Sequence, residues 1–182
     1  MVKSLFLFSL FNLLFATTPL TAQNDDESKN CKYFLPYTGT WSGNLNIELP
    51  SGKQTIPCEL KIVYDSLQKS YEWHTIYYTG SSEIEKKYFL KCHEPENGHF
   101  LIDENNDIIL DAYLKENKLI SFYEVLGMYY HTEYEFEKDK IVFQISYFPA
   151  NSYTTTGGTS SEIPSVNSFS LSGLQRAVFQ RN

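Results

Sequence analysis

The stretch YTGTWSGNLNIEL, residues 37–49, alternates large apolar with small polar side chains directly after Gly39-Thr40-Trp41. Trp41, Gly43, Leu45, Ile47 and Leu49 share one parity, and Ser42, Asn44, Asn46 and Glu48 share the other. Successive side chains of a strand point to opposite faces. The spacing therefore predicts a strand with one buried face and a tryptophan at its first buried position.

Upstream, Lys3 supplies a positive end, Leu5 to Ala16 form an apolar run, and Ala22 offers a small residue before Gln23. The run is about a dozen residues, which suits a secretory signal, whereas a membrane-spanning helix needs roughly 20. Residues 1–22 are therefore expected to be a signal peptide. No cysteine follows closely enough to accept a lipoprotein anchor, so a secreted or periplasmic location is expected. Residues 23–36 begin with the polar run QNDDESKNCK and read as a flexible leader.

Residues 37–182 are long enough for one domain around one core. The net charge is −7, and loss of Lys3 makes the processed chain one unit more negative. An acidic surface argues against nucleic acid and anionic membranes, which select basic patches. No second apolar run of spanning length follows, and we expect a monomer. Fourteen tyrosines and thirteen phenylalanines against two methionines favour strands over helices.

Downstream, the two-residue alternation recurs. LPSGK marks a turn, after which Ile56, Cys58, Leu60, Ile62 and Tyr64 share a face, with Pro57 signalling a bulge or an edge. Tyr71, Trp73, Thr75 and Tyr77 form the next inward set, then Ile84, Tyr88, Leu90 and Cys92. HEPENG is a loop, and short apolar runs at 99–102 and 108–114 flank DENND. LISFYEV, MYYHTEYEFE and IVFQISYF supply three more strands, and SFSLSGLQRAVFQR the last. The Ser/Thr/Gly stretch between the final two, around 153–168, has no apolar period and reads as a long connection, either a lid over one mouth or a surface loop. About ten strands joined by short turns predict an all-β, antiparallel up-and-down barrel, because a meander loses its edges by closing.

The Gly39-Thr40-Trp41 entry to the first strand resembles the calycin superfamily of lipocalins and fatty-acid-binding proteins. The resemblance covers that motif, a C-terminal arginine and the strand order. It implies a lipocalin-like barrel in which Trp41 closes one end and a basic side chain of the last strand packs across its ring. Arg176 is the first choice for that cation, ahead of Arg181 in a terminus expected to fray. The Thr-Asp-Tyr of lipocalins is absent, and the strand count fits a ten-stranded fatty-acid-binding-type barrel better than the lipocalin eight.

With turns near residues 51, 67 and 80–81, Cys92 falls at the Trp41 end of the barrel and Cys58 half a strand higher. A disulfide needs Cα atoms within about 7 Å. We therefore expect Cys31–Cys92, tying the leader across the floor, with Cys58 free and inward.

No catalytic motif appears. HEPEN lacks the second histidine of a zinc-protease helix, and DENND lacks the glycine and final glutamate of a calcium loop. His93 and His99 flank one loop and could share a metal, but no pattern completes four ligands, so loop solvation is the reading here, with no metal and no cofactor expected. Glu133, Glu135 and Glu137 share the polar face of one strand. The expected ligand-binding set is the inward face: Leu45, Ile47, Cys58, Leu60, Ile62, Trp73, Tyr77, Tyr88, Tyr130, Tyr134, Phe143 and Tyr147. Such an interior suits a small hydrophobic or amphipathic ligand. Two alternatives stand beside it. An interaction or inhibitor protein predicts a filled core and an exposed apolar patch. A barrel enzyme of isomerase or cyclase type predicts an inward His or Glu within reach of a cavity tyrosine.

Overall fold

The computed structural model describes Lys29 and residues 31–182; the expected signal peptide and most of the expected leader lie outside the described residues. The strands are β1 (Gly39–Leu49), β2 (Gly52–Asp65), β3 (Ser70–Thr79), β4 (Ser82–Glu94), β5 (His99–Asp103) and β6 (Ile109–Lys115). There follow β7 (Lys118–Val125), β8 (Met128–Phe136), β9 (Lys140–Pro149), β10 (Tyr153–Thr156), β11 (Val166–Phe169) and β12 (Gly173–Arg181). Ten of them close an antiparallel barrel in which each strand pairs with the next in sequence, except that β12 joins β9 and shuts the sheet against β1. The expected meander is therefore the observed fold.

The turns follow from local chemistry. Asp65 Oδ1 accepts from the Leu67 and Gln68 amides at 2.8 and 3.1 Å, and Lys69 then reverses the chain at φ 51°. Leu126 and Gly127, at φ 51° and 77°, give the paired left-handed residues that match a tight turn to strand twist. Pro57 sits opposite Asn44 of β1, while the ladder to β3 starts only at Cys58. Of the two options, Pro57 thus marks a local edge, where a missing N–H leaves no ladder bond unmade.

The end of the barrel that holds Trp41 is plugged from below. Trp41 is fully buried, its indole N–H donates to the Tyr37 carbonyl at 2.8 Å, and the Arg181 guanidinium lies 4.6 Å from its ring centroid. This corrects the choice of Arg176. Arg181 pairs directly with Trp41 and shares parity with buried Ala177 and Phe179, whereas Arg176 pairs with Asn46 and is exposed on the opposite face. The terminus is held by the β1 ladder, and Arg181 also donates to the Pro36 carbonyl.

The leader expectation needs correction too for residues 31–36. Cys31 is bonded to Cys92 with Cα atoms 5.5 Å apart, as the register predicted, and Cys58 is free and buried. The Tyr71 hydroxyl donates to the Cys31 carbonyl at 2.9 Å. Phe34 is fully buried, with ring centroids 5.0 Å from Phe136, 5.3 Å from Phe100 and 5.6 Å from Tyr71. Edge-to-face geometry suits the ring quadrupoles. The segment enters the core because its aromatic side chain completes the floor.

Residues 153–169 form a hairpin rather than an irregular connection: β10 and β11 pair from Tyr153 opposite Phe169 to Thr156 opposite Val166. Phe169 packs on Phe148 at 5.0 Å and near Tyr129 at 6.5 Å. Both partners have outward parity, so the hairpin rests against the outer wall beside the mouth opposite Trp41.

Candidate functional site

Above the Phe34–Trp41 plug the strands enclose a cavity of about 170 Å³. Its walls come from β3 to β9, with Gln175 of β12. Of the expected ligand-binding residues, Trp73, Tyr77, Tyr88, Tyr134 and Phe143 line it. Leu45, Ile47, Cys58, Leu60 and Ile62 do not. They belong to the packed core on the β1–β2 side, where Trp41 and Phe34 fill the section and push the open space toward the opposite wall. Tyr130 and Tyr147 also stand outside the lining and instead stack, 5.4 Å apart, with Tyr130 stacked in turn on Tyr123 at 5.2 Å. Tyr147 takes this position because it lies across Gly173, where even a Cβ would come within 2.3 Å of the tyrosine oxygen.

The lining residues left out of the expected set are apolar side chains, Leu90, Ile102, Leu110, Leu119, Tyr123 and Ile145, and polar ones, Thr75, Ser121, Thr132 and Gln175 with Glu104. Parity with apolar neighbours was their signal. Ser121 donates to the Asp111 carbonyl at 2.6 Å, and Thr132 faces the Tyr123 hydroxyl at 3.4 Å. Glu104, which follows β5, is the only charged residue among the described residues of the lining.

Burial governs the hydroxyls. It pushes Tyr134 up to about 12, with hydrogen bonding to Trp73 and Thr75 pulling the other way. Burial also raises Tyr77, Tyr88 and Tyr123, and the Glu104 carboxylate adds to the rise at Tyr88 and Tyr123. All of these phenols are therefore protonated at neutral pH and can donate. The Trp73 indole N–H is buried without an acceptor at full hydrogen-bond geometry, although it stands close enough to Tyr134 to influence that hydroxyl. A buried donor left in this state costs about 1–3 kcal/mol.

Glu133 and Glu135 face the Lys118 ammonium on the outer wall, at 2.8 and 3.9 Å. In DENND, Asp103 binds Lys91 at 2.6 Å and accepts from the Asn105 amide at 2.9 Å. Those bonds hold its carboxyl below the usual carboxylate range and make the segment a hairpin turn. His74 lies between Glu72 and Glu85, and His131 stacks on Phe122. His93 and His99 do come together, with ring centroids 4.9 Å apart.

No protein-family model matches the chain, and no curated protein matches it. Among solved structures it is similar to a Nostoc punctiforme protein of unknown function from the DUF3598 family, at 12% identity and a TM-score of 0.54. The match covers 82% of this chain and 49% of that one, so the chain spans about half the length of its structural neighbour. The likeness is one of fold alone.

Proposed function

We propose that the protein is a secreted, calycin-like barrel that binds a small amphipathic molecule, about the size of one aromatic ring, in its interior. The observation that carries this reading is the cavity itself: about 170 Å³ with aromatic walls, protonated hydroxyls, an unsatisfied indole N–H and a single carboxylate. Apolar cavities of about 150 Å³ accept benzene, whereas drug-sized ligands occupy roughly 300 Å³ or more. A long acyl chain is therefore a poor fit, and a single ring with a hydrogen-bond acceptor is a good one. The acceptor would satisfy Trp73, and the ring would stack among Tyr77, Tyr88 and Phe143.

Charge selects within that class. Glu104 repels anions, and aromatic faces attract cations by about 0.5–2 kcal/mol. The preferred ligand is neutral or carries an amine. The filled-core alternative expects no such internal space, so the cavity favours the binder. Secretion is supported by the Cys31–Cys92 disulfide, which persists in oxidising compartments. No helix among the described residues is long and apolar enough to cross a membrane.

The test is native mass spectrometry of protein recovered from its own secretion route, before and after unfolding. The reading predicts one small molecule per chain that leaves on unfolding. A bare mass, together with no uptake of single-ring probes, would contradict it.

A further inference from the structure

On the outer wall, away from the cavity, β4 and β5 are out of step at one point. Cys92 stands opposite Phe100 and Glu94 opposite His99, which leaves His93 as an extra residue in a bulge. Without the bulge, His93 and Glu94 would point to opposite faces of the sheet. With it, both are turned outward beside His99, a known use of bulges in re-aiming side chains. One ligand atom from each of His93, Glu94 and His99 falls in a group whose members all lie within 4.8 Å of one another.

His99 is held in place. Its ring stacks on Tyr113 at 4.7 Å with an 11° tilt, and its Nε2 lies 2.7 Å from Asp111 Oδ1. The Asp111 carboxylate can only accept, so Nε2 carries the proton and the Nδ1 lone pair of the neutral ring is left facing Glu94 Oε2 at 3.8 Å. The connecting turn is equally fixed. Gly98, at φ 68°, donates to the Pro95 carbonyl at 3.0 Å and accepts from the Leu114 amide at 2.7 Å. A Cβ there would meet the Leu114 carbonyl oxygen at 2.4 Å. Asn97 steadies Glu94 through a hydrogen bond of 3.2 Å to Oε2.

We infer that His93, Glu94 and His99 form a binding site for a divalent transition metal of the zinc class, with Asp111 as the carboxylate that orients His99. Two imidazoles and a carboxylate suit zinc and its neighbours rather than calcium or magnesium, which take oxygen ligands. A histidine ligand whose second nitrogen donates to a carboxylate is the usual arrangement around such metals. Bond lengths of about 2.0–2.2 Å require the three atoms to draw together slightly, which the exposed His93 and Glu94 side chains can do by rotation. Three protein ligands leave the fourth position open to water or to a partner's ligand atom, unlike a closed structural site.

The experiment uses untagged protein stripped with a chelator. Zn²⁺ alone is titrated against a chromogenic indicator at neutral pH, and Co²⁺ is added separately to read coordination from its visible spectrum. The expected result is one equivalent of Zn²⁺ per chain and a four-coordinate Co²⁺ spectrum. His93→Ala, His99→Ala and Glu94→Gln should each weaken binding at least tenfold, and Asp111→Asn by about 10–100-fold. His131→Ala, on a distant part of the outer wall, should change nothing. Circular dichroism of each metal-free variant separates loss of a ligand from loss of the fold. Substoichiometric binding by the native chain, or equal binding by the His93→Ala/His99→Ala pair, overturns the assignment.

Discussion

The Arg181 guanidinium lies 4.6 Å from the centroid of the Trp41 ring, and the two residues are direct partners across the β1–β12 seam. The last strand thus closes the barrel both by its ladder and by a cation over the indole. Arg181→Ala should lower stability by about 0.5–2 kcal/mol, whereas Arg176→Ala should leave it within about 0.5 kcal/mol of the parent. Urea midpoints of the two variants check this, and equal effects would remove the special role given to Arg181.

Phe34 should be among the most costly positions to truncate. Its ring touches those of Tyr71, Trp73, Phe100 and Phe136, so Phe34→Ala leaves a hole in the floor and should cost about 3–5 kcal/mol. Reducing Cys31–Cys92 untethers the same segment and should cost about 2–5 kcal/mol. If the floor and the disulfide act as one device, the two losses measured together will be smaller than their sum.

Cys58 should be chemically silent in the native state. Burial pushes its thiol up to about 11, against a partial offset from a backbone hydrogen bond at Leu45. Thiolate is the reactive form, so a thiol reagent at neutral pH should label nothing until the chain is unfolded, and then one site per chain. Rapid labelling of folded protein would mean that the β1–β2 wall opens far more often than its packing implies.

Stability should fall in alkali. Tyr33 and Tyr134 are both pushed from 10.0 up to about 12, chiefly by burial. Above pH 10 the unfolded chain loses these protons while the folded chain keeps them, so the unfolded state binds fewer protons and stability drops as pH rises. Their contribution is complete below pH 10 and is lost between pH 10 and about 12. Urea midpoints across that window, followed alongside tyrosinate absorbance, test the sign. A flat profile would show that these phenols are more open to water than their surroundings suggest.

The barrel was legible in the chain because each long strand buries one face and therefore carries the period of two, from Trp41-Gly43-Leu45 through to Ala177-Phe179. Register then followed from turn positions, and with it the Cys31–Cys92 pair. Arg181 could have been chosen by the same parity, since it is in phase with Phe179 and Arg176 is not. Phe34 was hidden because the run from Tyr33 to Tyr37 is aromatic or apolar throughout and so does not alternate, and only the tertiary floor gives Phe34 its place. β10 and β11 were hidden for the opposite reason: exposed on both faces, they have nothing to alternate. The cavity was half legible. Parity named its aromatic wall, but which wall stays open depends on how far Phe34 and Trp41 fill the section. His93 and Glu94 share a face only through a bulge, which adjacent positions in sequence do not announce.

The interior is proposed to take a ring-sized ligand whose charge Glu104 helps to select. Calorimetric titration of the protein with benzylamine and with benzoate, matched in size and opposite in charge, tests both parts at once. Benzylamine is expected to bind one per chain, at least about tenfold tighter than benzoate, and Glu104→Gln is expected to narrow the difference, leaving the part that the aromatic faces supply. Binding of neither probe, or tighter binding of benzoate, would contradict it.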